Sequence, residues 1–332
     1  MVPHANFTDS VRVFPPVCHP TATPRLSWKA LQKDTYIAIK APWDLTKQTR
    51  GMSVGYKINR TASSGSTSNM IIVAPSKALL LLAAIVVTYS TLVEPVWLDI
   101  DEYSLSSDNA TAPITLLHLS DLHLRQFGRR ERAVITAVTA AKPDVVVLSG
   151  DVIDQSSALP VLEQFLAALP ATQTVAVLGN WEHWAGVDLA ELAATYTEHK
   201  ATLLVNANLA FNVRGRSVQI TGLDDDTAGQ PSLPPPSESL PAELTILAQH
   251  SPDWFTRQDL GSRGYTLCLA GHTHGGQVAL FGRSLWRPQG SGRFIAGTYQ
   301  LPGCLLHVSR GVGTSILPIR FGARPQITVF TL

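Results

Sequence analysis

Seven residues with carboxylate, amide or imidazole donors stand in five short motifs. Asp121 and His123 lie in Ser-Asp-Leu-His, and Asp151 in Ser-Gly-Asp-Val-Ile-Asp. Asn180 lies in Leu-Gly-Asn-Trp-Glu-His and His250 in Ala-Gln-His-Ser-Pro-Asp. His272 and His274 lie in Ala-Gly-His-Thr-His-Gly-Gly-Gln. In extended chain, residues i and i+2 point the same way, so Asp121/His123 and His272/His274 each present two donors at once. Gly150, Gly179, Gly271, Gly275 and Gly276 stand beside them and permit tight turns and close backbone approach. The mixture of imidazole, carboxylate and amide oxygen suits Mn, Fe or Zn better than Ca or Mg alone. No thiolate belongs to the set, which disfavours a structural zinc site. Four histidines and two aspartates exceed the needs of one ion. A carboxylate can bridge two ions about 3.5–4 Å apart, the arrangement used for in-line phosphoryl hydrolysis.

The elements that must position these donors follow from periodicity. Ile114–Leu119, Val145–Leu148 and Thr174–Leu178 read as strands, alternating with helices at Arg129–Ala141, Val161–Leu169 and Leu189–His199. This order predicts parallel strands with crossover helices. After residue 200 strands dominate: Leu209–Val213, Val218–Leu223, Leu244–Ala248, Thr266–Ala270, Gln277–Leu280, Leu305–Ser309 and Ile327–Phe330. A second sheet packed on the first is the economical architecture, in one domain of about 220 residues. Each motif follows a strand, and ligands in open α/β sheets bind beyond the carboxyl ends of strands. One Asp-x-His or Gly-Asp alone says little; the ordered set of five, each at a strand end, says much more.

The charge is uneven. Of 332 residues, 26 are Lys or Arg and 25 Asp or Glu, a net of +1; residues 1–69 hold nine and three of these, a net of +6, and the rest a net of −5. The acidic body argues against a nucleic-acid binder, and the 45% apolar content excludes global disorder. Three cysteines without a CxxC pair exclude a disulfide scaffold and a zinc ribbon. Residues 1–69 read as a disordered or non-native leader, with Met70 the expected natural start. Met70 to Val93 holds only one charge, Lys77, over 24 residues. As a helix it spans about 36 Å, enough to cross a bilayer core of about 30 Å. Residues 70–93 are therefore expected to form a transmembrane anchor and 94–113 a juxtamembrane linker to the domain at 114–332. Lys57, Arg60 and Lys77 precede or open the span, and Glu94, Asp99, Asp101, Glu102 and Asp108 follow it. The Lys/Arg bias favours an inside N-terminus and a catalytic domain outside the cytoplasm.

In this order, Asp-Leu-His, Gly-Asp, Gly-Asn, His-Ser and Gly-His-Thr-His resemble the calcineurin-like metallophosphoesterases, over roughly residues 114–332. Gly-His-Thr-His-Gly-Gly-Gln, Ser-Arg-Gly-Val-Gly and an apolar segment followed by Glu-Pro are similar to a bacterial membrane-associated branch. That branch includes UDP-2,3-diacylglucosamine pyrophosphatases and less defined phosphodiesterases. The resemblance implies a four-layer α/β/β/α sandwich preceded by a transmembrane helix, and two divalent metal ions. One ion would take Asp121, His123, Asp151 and His274; the other would take Asp151, Asn180, His250 and His272. A water or hydroxide between them would attack phosphorus in line with the leaving oxygen.

The chain departs from the family after Asn180, where Trp181 stands in place of the usual histidine and Glu182-His183 follow. Trp181 cannot transfer a proton. Three explanations compete: His183 swings in as the acid, the site is degraded, or the leaving group needs no acid. A phosphate leaving from a diphosphate, with a second pKa of about 6, needs less help than an alkoxide. Arg310 is a candidate for bidentate phosphate contact and equally for a structural carboxylate pair. Asp154 suggests a turn or cap, His118 strand packing, Cys268 a buried thiol, and Asp224–Asp226 a cleft edge or solvated loop. Trp184, Trp254 and Trp286 suit a lipid surface or ordinary packing.

The sequence therefore predicts a single-pass inner-membrane phosphohydrolase acting on a phosphorylated small molecule or glycolipid, of UDP-2,3-diacylglucosamine type in its sharpest form. A broad envelope or nucleotide phosphodiesterase is the alternative enzyme, and a weakened, membrane-tethered binding protein the alternative of another class. The expected outward topology conflicts with a lipid A precursor, which is made on the cytoplasmic face.

Overall fold

The computed structural model describes residues 76–105, 112–235, 242–281 and 283–332, all within the unit Ile71–Leu332. The expected leader 1–69 and the start at Met70 lie outside the described residues. The chain opens with helix α1 (Lys77–Thr88), whose Ser76 cap accepts from the Leu79 N–H. A π-helical turn (Tyr89–Val93) and a 3-10 turn (Glu94–Val96) continue it. Among the described residues this 20-residue helix, Lys77–Val96, is the one long and apolar enough to cross a membrane.

Strand β1 is Asp99–Ser104, then come β2 (Thr115–Leu119), helix α2 (Arg129–Ala141) and β3 (Val145–Ser149). Helix α3 (Leu159–Ala168), β4 (Gln173–Val177), the short helix α4 (Asn180–Trp184), helix α5 (Leu189–Glu198) and β5 (Ala201–Leu204) follow. Next are β6 (Ala207–Val213), β7 (Arg216–Gly222), β8 (Leu244–Ala248) and β9 (Leu267–Ala270). The chain closes with the hairpin β10 (Ala279–Leu280) and β11 (Arg283–Ser284), then β12 (Gly297–Leu301), β13 (Cys304–Val308) and β14 (Gln326–Thr331). The first sheet runs β1-β14-β2-β3-β4-β5 and the second β12-β13-β9-β8-β7-β6. Strands β2 to β5 are parallel, as are β7, β8, β9 and β13.

Alternation along the strands sorts the core. Leu117, Val146, Leu148 and Ala176 face the helices and pack on Val134, Val138, Leu162, Phe165 and Tyr196. Leu116, Val145, Val147 and Val175 face the other sheet and pack on Val218, Ile220, Ile246 and Leu267. The outer face of the second sheet, with Leu247, Cys268 and Leu306, is covered by Trp254, Phe255 and Phe294. Trp254 is thus a core residue.

Three expectations need correction. Residues 94–113 are not simply a linker, because β1 pairs in parallel with β14 and belongs to the first sheet. Its half-buried positions are Asp99, Asp101 and Tyr103, an acidic face that hydropathy does not reveal. Gln277–Leu280 is not a full strand: Gly275, Gly276 and Gln277 all have positive φ, and this left-handed turn leaves only two residues of strand. Cys268 is not a thiol; it is disulfide-bonded to Cys304, between the neighbouring strands β9 and β13.

Candidate metal centre

The carboxyl ends of β2, β3, β4, β8 and β9 deliver all seven predicted donors to one buried locus. Donor atoms of Asp121, His123, Asp151 and His274 lie within 4.8 Å of one another, and so do those of Asp151, His250 and His272. The two groups share Asp151. His272 Nδ1 lies 2.8 Å from Asn180 Oδ1, which brings the amide to the second group. Asp121, His123, Asp151, His272 and His274 all have positive φ. Asp and His are among the residues that tolerate this region best, yet such a concentration is backbone strain of the kind retained at functional sites. The glycines are needed for close approach. A Cβ on Gly179 would come within 2.3 Å of Asp151 Oδ1, and one on Gly271 within 2.3 Å of Asp121 Oδ2.

The donor chemistry fits cations. His250 Nδ1 lies 2.7 Å from the Ser149 carbonyl, which can only accept, so the proton sits on Nδ1. Nε2 then faces Asp151 Oδ2 at 3.1 Å and Asp121 Oδ1 at 3.9 Å and has no hydrogen-bond partner. His272 repeats the pattern: Nε2 is 2.6 Å from the Gln289 carbonyl, and Nδ1 faces the Asn180 oxygen. His123 Nε2 and His274 Nε2 are 3.1 Å apart, with Asp121 Oδ1 3.2 Å from the latter. Carboxylate, amide and imidazole atoms thus crowd around two buried points, and a cation at each would satisfy them. Backbone carbonyls that fix the imidazole tautomer are the usual support of metal-binding histidines.

Burial disfavours a charged His250 ring, but Asp151 and Asp121 outweigh it and hold its pKa well above the ordinary value, a pull that a cation in the centre would answer instead. Burial opposes ionisation of Asp121, but the His274, His250 and His123 rings hold its carboxyl below the usual range. Burial also opposes ionisation of Asp151, and His250 and His123 again prevail. His274 is pulled down to about 4 by burial, against the attraction of Asp121. It is therefore neutral near pH 7 and able to ligate.

Residues outside the seven complete the support. Asp154 Oδ2 lies 3.7 Å from His123 Nδ1 and accepts from Arg125 Nε at 2.9 Å, so Asp154 backs a ligand rather than capping a turn. Glu182, buried, accepts from the backbone N–H groups of Asp151, Val152, Ile153 and Gly179. It clamps the loop carrying the shared aspartate to the loop carrying Asn180. Arg320, also buried, donates to the carbonyls of Gly313, Ala323 and Arg310 and lies 3.4 Å from His274 Nδ1. Its position 46 residues after His274 carried no local signal.

The two other predicted site residues separate. His183 Nε2 is 2.6 Å from Asp224 Oδ1, a histidine–carboxylate pair on α4 and the end of β7. The Arg310 guanidinium is paired with Asp99 at 3.1 Å and lies 3.7 Å from Asp101, the structural-carboxylate alternative. Trp181 donates its backbone N–H to Asp151 Oδ1 and sets its ring edgewise to His123, 5.9 Å between centroids. His118 lies buried between the sheets, 3.0 Å from His307 and 2.7 Å from Ser149 Oγ.

Two sheets carrying a paired Asp/His/Asn centre at their carboxyl edges define the calcineurin-like phosphoesterases. The model of that family matches residues 114–276, and the chain belongs to it. It is 30% identical over 262 residues to the metallophosphoesterase YkuE of Bacillus subtilis (strain 168), covering 74% of this chain and 88% of that protein. It is 30% identical over 249 residues to phosphodiesterase YaeI of Escherichia coli (strain K12), covering 72% and 90%. A crystal structure of a 5'-nucleotidase precursor from Thermus thermophilus aligns with a TM-score of 0.41 and 17% identity, covering 67% of this chain and 54% of that one. The protein is a metal-dependent phosphoester hydrolase.

Proposed function

We propose that this protein is a membrane-anchored, binuclear phosphohydrolase acting on a phosphodiester or diphosphate held at the membrane surface. The observation that carries the reading is the sharing of Asp151 by two donor groups. One ion would be held by Asp121, His123, Asp151 and His274, the other by Asp151, Asn180, His250 and His272. Two such ions supply an activated nucleophile and neutralise phosphoryl charge. The chain's own part is to orient the donors. Ser149 and Gln289 fix two ring tautomers, Asp154 backs His123, and Glu182 holds the loops together. His183, gripped by Asp224, is the residue proposed to give a proton to the leaving oxygen. Arg310, already paired with Asp99, is a weaker candidate for substrate contact.

The expected scaffold is the four-layer sandwich, and the anchor is the helix Lys77–Val96. Flanking Lys/Arg supports a periplasmic domain in a bacterial inner membrane. The Cys268–Cys304 disulfide supports the same side, since disulfides persist in oxidising compartments. That side favours an envelope phosphodiester over a UDP-2,3-diacylglucosamine-like glycolipid, and the similarity to phosphodiesterase YaeI adds support. The test is metal analysis with turnover of bis(4-nitrophenyl) phosphate by the full chain. Two ions per chain and metal-dependent turnover are expected. Under one ion per chain without turnover would instead support a tethered binding protein.

A further inference from the structure

The hairpin after the His272–His274 loop carries large apolar side chains into solvent. Phe281 at its tip is fully exposed, 103% of its reference area, and Leu280, Leu285 and Trp286 beside it are also exposed. Ile316 and Leu317 form a second exposed apolar tip. The two tips are tied together: Gln277 Nε2 donates to the Leu317 carbonyl at 3.0 Å, and the Gln277 side-chain oxygen accepts from the Ser315 N–H at 2.9 Å. Phe281 and the β-branched Ile316 both have positive φ, 51° and 59°. Strained backbone at both tips thus presents apolar groups to solvent, where they gain nothing from water.

The same surface meets the anchor. The Ala279 N–H donates to the Phe321 carbonyl at 2.7 Å, and the Phe321 ring meets Tyr89 edge-on at 6.0 Å. The Arg320 N–H donates to the Ser90 carbonyl at 2.9 Å. Glu94 is 1% exposed, with Oε1 accepting from the Ala323 N–H at 2.7 Å, so its carboxyl group is hidden from the surroundings of the helix. The 20 residues of the span cover about 30 Å, the thickness of a hydrocarbon core. Its last turns, from Tyr89, can lie in hydrocarbon only if the surface around Phe321 lies there too. Arg283 on β11 and Arg287 just after the hairpin are both exposed, as basic residues are at the level of anionic headgroups.

We propose that the Leu280–Trp286 hairpin and the Ile316–Leu317 tip insert into the bilayer that the anchor crosses, holding the metal centre against the headgroup layer. The occupant of the patch is lipid, because the patch is continuous with the helix that crosses the bilayer. The phosphoester to be cleaved then lies at headgroup depth. The segment after Trp286 supports this, since it supplies the Gln289 carbonyl to His272. The inference rests on the membrane-anchor reading above.

The test uses the full chain with Cys18→Ser, reconstituted in phosphatidylethanolamine/phosphatidylglycerol vesicles. An environment-sensitive fluorophore is attached at Phe281→Cys, at Ile316→Cys, at Leu82→Cys in the anchor and at Lys200→Cys on an exposed loop. The expected result is a blue shift and quenching by acyl-chain spin-labelled lipids at 281, 316 and 82, and quenching by aqueous iodide at 200. Iodide quenching at 281 and 316 with lipid quenching at 82 overturns the insertion and leaves the anchor standing. Loss of lipid quenching at 82 as well removes the anchor and the proposal with it. Shielding from both quenchers, with cross-links between copies, assigns the patch to a second copy and overturns the proposal.

Discussion

The backbone N–H of Trp181 donates to Asp151 Oδ1 at 2.9 Å. Residue 181 therefore orients the shared carboxylate through its main chain, which any residue but proline retains there. Asp151 Oδ2 is left to face His250 at 3.1 Å and His123 at 3.8 Å. Asp151→Asn should lose both ions and lower turnover on the order of 10³-fold, since metal stabilisation of the transition state is worth several kcal/mol. Trp181→Ala should keep two ions. Metal analysis of the two variants checks this; loss of metal from Trp181→Ala would assign the ring itself a structural part.

Asp154 acts through His123. Burial raises its carboxyl, but the His123 ring 3.7 Å away and the bonds from Arg125 outweigh that and bring it to about 2. It is therefore ionised throughout the working range. Asp154→Asn should weaken metal binding roughly 10–100-fold with the fold intact. Calorimetric titration of the metal-stripped full chain measures this, and unchanged affinity would leave Asp154 as the partner of Arg125 alone.

His183→Ala separates the leaving-group explanations. If the His183–Asp224 pair supplies the proton, an alkyl phosphodiester should lose roughly 10²–10⁴-fold and a diphosphate much less. Equal small losses on both would leave the pair structural.

The His118–His307 pair makes stability depend on pH. Burial holds His118 down to about 3, against the attraction of Asp121. Burial, with His118 and Arg310 adding, holds His307 well below its ordinary value. Unfolded histidine titrates near 6.5, so at lower pH the unfolded chain binds more protons. Stability is then full above about pH 6.5 and falls as pH drops toward 3, by up to about 1.4 kcal/mol per pH unit for each proton. Urea midpoints at pH 7, 6 and 5 should decline less steeply in the double variant His118→Leu/His307→Phe than in the parent.

Cys304→Ser should cost about 2–4 kcal/mol, the usual range for removing a disulfide. Alkylation of the full chain unfolded in urea without reductant should modify Cys18 alone, since burial of Cys268 and Cys304 then gives no protection. Modification of all three cysteines would remove the disulfide and its support for a periplasmic domain.

Much of the centre was legible because its donors stand at strand ends, where a parallel sheet gathers them whatever the loops do. The elements Arg129–Ala141 and Leu244–Ala248 emerge with the bounds their periodicity implies. Other features were hidden for physical reasons. Strand β1 turns aspartates inward to meet Arg310 and Arg324, so its alternation runs against the hydrophobic rule. Cys268 and Cys304 become neighbours only through sheet order. Asp154 lies behind the His123 ring and Arg320 beside His274 Nδ1, where no local spacing marks them. The left-handed backbone at five donors is a property of the folded loops, invisible in residue type.

The pairing of β1 with β14 has a practical consequence. Strand β14 is enclosed only because residues just after the Lys77–Val96 helix lie along it. Cutting the chain near Trp97 to obtain a soluble enzyme keeps that seam closed. Cutting after Ser104 bares the hydrogen-bonding edge of Gln326–Thr331, and such an open edge invites strand addition from a neighbouring molecule.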